Sequence, residues 1–235
     1  MNKSPIITAH RGLSHQYPEN TLLAFQKAIE IGAGMLELDI RLSGDGKIVV
    51  CHDGNLIRAS GKKGMVKDLD YDEILKYDVG MGQHVPLLSD VLDLIRGTNV
   101  KLLIEFKAFE AEQLVLDLMK ERGMEKQVMY ASMLFPVMME LRDLDKDAIL
   151  CPSMGKLYNF NLKEILDLVK SVQGQYLNID YTCITKELVD SAHDEGIGVQ
   201  AGTPDELDDM IRMVEIGADV LVTNEPDKIL RYLNE

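Results

Sequence analysis

Two histidines, four carboxylates and two cations sit in or at the ends of the apolar runs of this chain. His10 and Arg11 close PIITA, Glu37 and Asp39 alternate with apolar residues in MLELDI, His52 and Asp53 close KIVVC, and Glu105 and Lys107 alternate in LLIEFK. Charged groups are costly beside a core unless they are paired or hold a metal. Carboxylates two apart on a strand share a side, so Glu37 and Asp39 converge, and Glu105 joins them from the next predicted strand. Three convergent carboxylates raise one another's pKa values, and a hard divalent cation relieves that. An all-oxygen set suits Mg²⁺ or Ca²⁺, with Mn²⁺ a third option, over Zn²⁺. The plain alternative is three separate ion pairs with Arg11, Arg41 and Lys107. Two imidazoles beside such a cluster suit a general base and a general acid, with metal ligation as the competing role. Arg11 and Lys107 add the positive charge that a bound phosphate needs.

These side chains need a frame that brings strand ends together. Apolar runs at Ile6–Ala9, Met35–Ile40, Lys101–Phe106, Val128–Ala131, Ala148–Cys151, Tyr176–Ile179, Gly198–Ala201 and Val220–Thr223 read as buried parallel strands. Helical periods follow them, as in Thr21–Ile31, Ala111–Glu121, Thr185–Glu195 and Asp205–Ile216. Thr203-Pro204-Asp205-Glu206 has the form of a capping box with proline at the first helical position. Eight strand–helix units predict an α/β fold of the TIM-type (β/α)8 kind, with its site at the carboxyl ends of the strands. An open doubly wound sheet is the second choice. One stretch departs from the rhythm. RLSGDGKIVVCHD reads as a hairpin turning at Gly44-Asp45-Gly46, and residues 54–86 follow as an insertion with one helical piece, Tyr71–Tyr77. Residues 1–235 are expected to form a single domain with that insertion at about 54–86.

The bulk numbers exclude several classes. A formal net charge of −14 disfavours nucleic acid and anionic lipid. No apolar stretch approaches the ~18 residues of a membrane span, and the start enters the first strand without a signal sequence. The three cysteines, Cys51, Cys151 and Cys183, form no CxxC and read as reduced thiols of a cytoplasmic protein. Alternation turns Cys51 away from His52, so it is not read as a nucleophile. GxGxxG, GxxxxGK[ST] and GxSxG are absent, so neither nucleotide folds nor a serine hydrolase are indicated.

Taken in order, the residues resemble the glycerophosphodiester phosphodiesterase family. Ala9-His10-Arg11-Gly12, Pro18-Glu19-Asn20-Thr21, Ala24-Phe25, Glu37-x-Asp39, Asp45-Gly46, His52-Asp53, Glu105-x-Lys107 and the closing ADVLVTNEPD carry the likeness. The resemblance implies a TIM-type barrel with a small insertion after the second strand. It also implies metal-dependent hydrolysis of glycerophosphodiesters to sn-glycerol 3-phosphate and an alcohol. Residue by residue it implies Glu37, Asp39 and Glu105 as metal ligands, His10 and His52 as the acid–base pair, and Arg11 and Lys107 as phosphate contacts. The expected partner is a small-molecule glycerophosphodiester, without nucleic acid or stable membrane insertion. Alternatives are a related phosphodiesterase on lysophospholipids or glycerophosphoinositol, or a non-catalytic barrel that binds phosphometabolites. One position departs from the family's pattern. Its seventh strand often ends in Trp-Thr, where this chain has Gly202-Thr203 and no tryptophan anywhere. Phe109, Tyr158 and Tyr181 are candidate substitutes for that apolar wall, and Phe109, Met133, Leu134 and Phe135 are candidates for a pocket lining or a subunit contact.

Overall fold

A computed structural model describes residues 4–156 and 161–234. Tyr158 lies outside the described residues. Strand β1 (Ile6–His10) leads to helix α1 (Leu22–Glu30), which Thr21 caps by accepting the Ala24 amide at 3.2 Å. Strand β2 (Met35–Leu42) turns through a hairpin into β3 (Ile48–Val50). The next segment holds α2 (Ile57–Ser60), α3 (Tyr71–Ile74) and α4 (Leu88–Ile95). Then β4 (Lys101–Phe106) precedes α5 (Glu112–Arg122), β5 (Val128–Ser132) precedes α6 (Phe135–Leu144), and β6 (Leu150–Pro152) precedes α7 (Leu162–Ser171). Three further units close the chain: β7 (Tyr176–Asp180) with α8 (Lys186–Asp194), β8 (Gly198–Gly202) with α9 (Leu207–Ile216), and β9 (Val220–Thr223) with α10 (Pro226–Asn234).

The strand order is β6-β5-β4-β2-β1-β9-β8-β7, all parallel, with β3 antiparallel to β2 outside the ring. A Ser153–Asn178 bridge, with Met154 N donating to Asn178 O at 2.9 Å, joins the two ends. The sheet is therefore a ring of eight parallel strands, the expected (β/α)8 architecture rather than an open sheet.

Register decides what faces inward. Glu37 is level with Leu103, and Asp39 with Glu105. Beside and below them Met35, Leu103, Met129, Cys151, Val220 and Val222 fill the barrel interior. The alternate residues Leu36, Leu38, Ile40, Leu102, Ile104 and Phe106 pack outward under α1, α4, α5 and α6. Burial on both faces makes these strands read as unbroken apolar runs. Among the described residues, no helix is long and apolar enough to cross a membrane.

Two local expectations need correction. The helical piece predicted over Tyr71–Tyr77 ends at Ile74, and the insertion also holds α2 and a 3₁₀ turn at Val66–Asp68. Elements this short carry too few residues for a readable period. They are tied down by a small core of their own, including Val49, Leu56, Val66, Tyr71, Ile74 and Val85. The capping box at Thr203–Glu206 does not form, and α9 begins at Leu207 with Glu206 at its N-cap. Asp205 is drawn instead to the next strand end, where Thr223 Oγ1 and the Asn224 amide donate to it at 3.0 and 2.9 Å.

Candidate active site

His10, Arg11, His52, Glu105 and Lys107 lie at or just beyond a strand's carboxyl end, while Glu37 and Asp39 lie midway along β2, level with the carboxyl half of β4. His10 ends β1. It is followed by a turn in which Arg11 and Gly12 adopt φ of 57° and 82°. A Cβ on Gly12 would lie 2.6 Å from the Ala24 carbonyl carbon, so this turn requires glycine. It also directs the Arg11 amide onto Glu37 Oε2 at 2.8 Å.

One oxygen each of Glu37, Asp39 and Glu105 fall within 4.8 Å of one another. Glu37 and Asp39 are only 2% and 0% exposed. Lys107 Nζ is 2.7 Å from Glu105 and 3.1 Å from Asp39, while Arg11 Nε is 3.2 Å from Asp39. Asn20 donates its side-chain amide to Asp39 at 2.8 Å. Arg41 is not a partner of the cluster, because its Nε donates to the His52 carbonyl at 2.8 Å. The three-ion-pair alternative therefore leaves Glu37 without a lysine or arginine side chain. Glu37 Oε1 is buried with no hydrogen-bond partner. Burial, then the charges of Asp39 and Glu105, push the Glu37 carboxyl well above its ordinary range. Burial also raises Asp39, but Lys107, Arg11 and the Asn20 amide outweigh it and hold that carboxyl low.

This is a donor set short of positive charge. Three carboxylates face two cations, and a buried oxygen has no partner. One hard divalent cation shared by Glu37, Asp39 and Glu105 fits those atoms. It would turn a local excess of one negative charge into one positive charge, which matches a phosphodiester anion.

The histidines come from different elements, and of the two only His10 has a contact with the cluster. His10 Nε2 is 3.8 Å from Glu37 Oε2, and His10 Nδ1 is 2.7 Å from Asn224 Oδ1, just past β9. Burial, then the charge of Arg11, push His10 down to about 4. His52 lies two residues past β3, with Nδ1 2.6 Å from Asp53 Oδ1. Arg58 Nε holds the other oxygen of Asp53, and its two terminal nitrogens grip Glu19 at 2.8 and 2.7 Å. Glu19 in turn accepts from Arg11 at 3.0 Å. Ion pairs thus run unbroken from Asp53 through Arg58, Glu19 and Arg11 to Asp39. Burial raises Glu19 and Asp53, but hydrogen bonds from Arg58 prevail, and each sits at about 2.

A cavity of about 230 Å³ opens over the cluster, lined on one side by His10, Glu37, Glu105 and Lys107. Its far wall carries Ser153, Asn178, Asp180, Gln200, Gly202 and Thr203, and Met133 overhangs it. His52, Asp53, Glu19 and Arg58 line a separate, smaller hollow beside it. Of the substitutes proposed for the missing tryptophan, Phe109 and Tyr181 are not among the described lining residues. Phe109 is 52% exposed at the surface, and Tyr181 packs beside α9 under Arg212. Of the four loop residues considered for a pocket, Met133 lines it, while Leu134 and Phe135 pack against the core. Cys51 is buried in the insertion's core, where burial pushes its thiol up to about 12, so it is inert.

Sequence reasoning gave no role to Asn224, Asp205 or Arg58. Asn224 sits in the closing motif, but nothing local marks it as a histidine partner. Arg58 lies in the insertion, where periodicity is weak.

The model of the glycerophosphoryl diester phosphodiesterase family matches residues 10–228. A glycerophosphodiester phosphodiesterase of Caldanaerobacter subterraneus subsp. tengcongensis is 32% identical over 244 residues, covering 98% of each chain. The crystal structure of a glycerophosphodiester phosphodiesterase from Thermotoga maritima superposes with a TM-score of 0.86 at 27% identity, covering 99% of this chain and 100% of that one. An Oleispira antarctica phosphodiesterase, solved with sn-glycerol-3-phosphate, shares the fold with a TM-score of 0.90 at 21% identity, covering 99% and 98%.

Proposed function

The chain belongs to the glycerophosphoryl diester phosphodiesterase family, and we propose that it hydrolyses glycerophosphodiesters to sn-glycerol 3-phosphate and an alcohol with a divalent cation at Glu37, Asp39 and Glu105. It is an enzyme of the phosphoric diester hydrolase class. The observation that carries the reading is the buried, partnerless Glu37 Oε1 beside two further carboxylates and His10.

A cation bound there would supply Lewis-acid stabilisation of charge developing on the phosphate oxygens. The chain does the rest. Arg11 and Lys107 neutralise and orient the phosphate, and their ion pairs to Asp39 fix their positions. His10 Nε2 accepts the proton of the attacking hydroxyl, which belongs to water or to the substrate's own glycerol. His52 protonates the departing alkoxide, and Asp53 balances its charge. Acid–base work of this kind contributes roughly 10²–10⁴-fold each. On this reading the chain is one catalytic barrel whose insertion, 54–86, carries the brace of the acid flank. Cys51 and Cys151 are buried thiols outside any disulfide, which supports a cytoplasmic location.

The test is release of sn-glycerol 3-phosphate from glycerophosphocholine after chelation and metal return. The expected result is loss of turnover in chelator and recovery with Mg²⁺ or Ca²⁺. Undiminished turnover in chelator would remove the metal from the reading. A metal-restored activity confined to lysophospholipids would reassign the substrate while leaving the site intact.

A further inference from the structure

We infer that Asp205, a residue outside the reacting cluster, sets the tautomer of His10 through the side-chain amide of Asn224. The inference rests on the reading of His10 as general base. Asp205 Oδ2 accepts from Asn224 Nδ2 at 2.7 Å. Its Oδ1 accepts the Asn224 backbone amide at 2.9 Å and Thr223 Oγ1 at 3.0 Å. An ionised carboxylate accepts and does not donate, so the Asn224 NH₂ must face Asp205. The carbonyl Oδ1 of Asn224 must then face His10, 2.7 Å from its Nδ1. Ser14 Oγ lies 3.0 Å from the same oxygen, although its single proton is also claimed by the His10 carbonyl at 2.8 Å. An acceptor at that distance requires the proton on Nδ1. The lone pair of a neutral His10 is therefore on Nε2, the nitrogen nearest Glu37. Were the amide reversed, its NH₂ would face Nδ1, the proton would move to Nε2, and the base would be blocked.

Asp205 is a positioning residue, since it touches neither the cavity-lining residues of the cluster nor the ring itself. Lys228 Nζ donates to the Asp205 carbonyl at 3.1 Å and steadies the loop. The loop between β8 and α9 thus delivers a carboxylate to the end of β9, which keeps Asp205 out of the first turn of α9.

The test is a charge swap read by nitrogen chemical shifts and kinetics. In Asp205→Asn the new amide must keep its oxygen on the Asn224 backbone N–H, which cannot turn. Its NH₂ then opposes Asn224 Nδ2, and Asn224 reverses. The expected result is a neutral His10 that changes from Nδ1–H to Nε2–H in ¹H–¹⁵N correlation spectra. With it, kcat falls about 10²-fold, the lower range for a lost general base, while KM stays within about twofold. In Asp205→Asn with Asn224→Asp every donor again meets an acceptor, and the new carboxylate accepts from Nδ1. That double variant should regain the Nδ1–H form and most of kcat. An Nε2–H tautomer in the unmodified protein would overturn the inference without any variant. A single variant that keeps the Nδ1–H form, or a swap no more active than the single change, would overturn it too. His10→Ala separates the two levels. Full activity there would end the base assignment, while the tautomer spectra still decide what Asp205 does.

Discussion

The His10 ring is 18% exposed and leans on a neutral amide, whereas the His52 ring is 32% exposed and leans on a carboxylate. The first partner comes from the barrel, through Asn224 and Asp205 at the ends of β9 and β8. The second is anchored by Arg58 on α2, inside the insertion. A buried ring with an uncharged partner is held neutral, ready to take a proton. The second ring instead faces a full negative charge, with Asp53 Oδ1 2.6 Å from its Nδ1. On the proposed reading two similar side chains receive opposite work, and the difference comes from what stands behind them rather than from the rings.

The largest break in this picture comes from the carboxylate cluster. Glu37→Gln removes the partnerless oxygen's charge. Several kcal/mol of transition-state stabilisation should go with the cation, a fall of roughly 10³-fold or more in turnover. Calorimetry with Mg²⁺ should show binding weakened in the same variant. Unchanged binding would place the cation elsewhere.

The flanks themselves should respond unequally. Arg58→Ala frees Asp53 and Glu19 but leaves Asn224 and Asp205 untouched. Its loss is expected to be a few-fold, the size of a half-exposed ion pair. It should appear in steps that need the acid and leave the His10 tautomer unaltered. A loss as large as that of His52→Ala would show that the insertion does more than brace.

The smallest effect is in acid. Glu19 and Asp53 are each held at about 2, below their ordinary values of 4.5 and 3.8. The unfolded chain therefore binds more protons between those limits, and stability falls as pH drops through that window. Their contribution is fully present above about 4.5 and lost by about 2. Hydrogen exchange near pH 3 should loosen residues 54–86 before the barrel strands. Equal loosening in Glu19→Gln and the parent would show that these pairs hold nothing.

Most of the fold and much of the candidate cluster were legible because parallel strands buried on both faces leave unbroken apolar runs. A charge within such a run, as in Glu37 or Glu105, stands out against them. The partners behind the histidines were not legible. Asp205 sits in a string that mimics a helix cap, and only the register of β8 against β9 draws it away. Arg58 belongs to four-residue helices that carry no period. At the wall opposite the cluster, position 202 is glycine, and among the described residues the cavity is lined there by Asn178, Gln200 and Thr203.

The division of labour between the rings is tested most directly with a glycerophosphodiester whose alcohol is 4-nitrophenol. That alcohol departs without needing a proton. Measured by nitrophenolate release, His52→Ala should recover to within about tenfold of the parent, while His10→Ala stays down by the roughly 10²–10⁴-fold expected for a missing base. Equal losses in the two variants, or recovery of His10→Ala instead, would contradict the assignment.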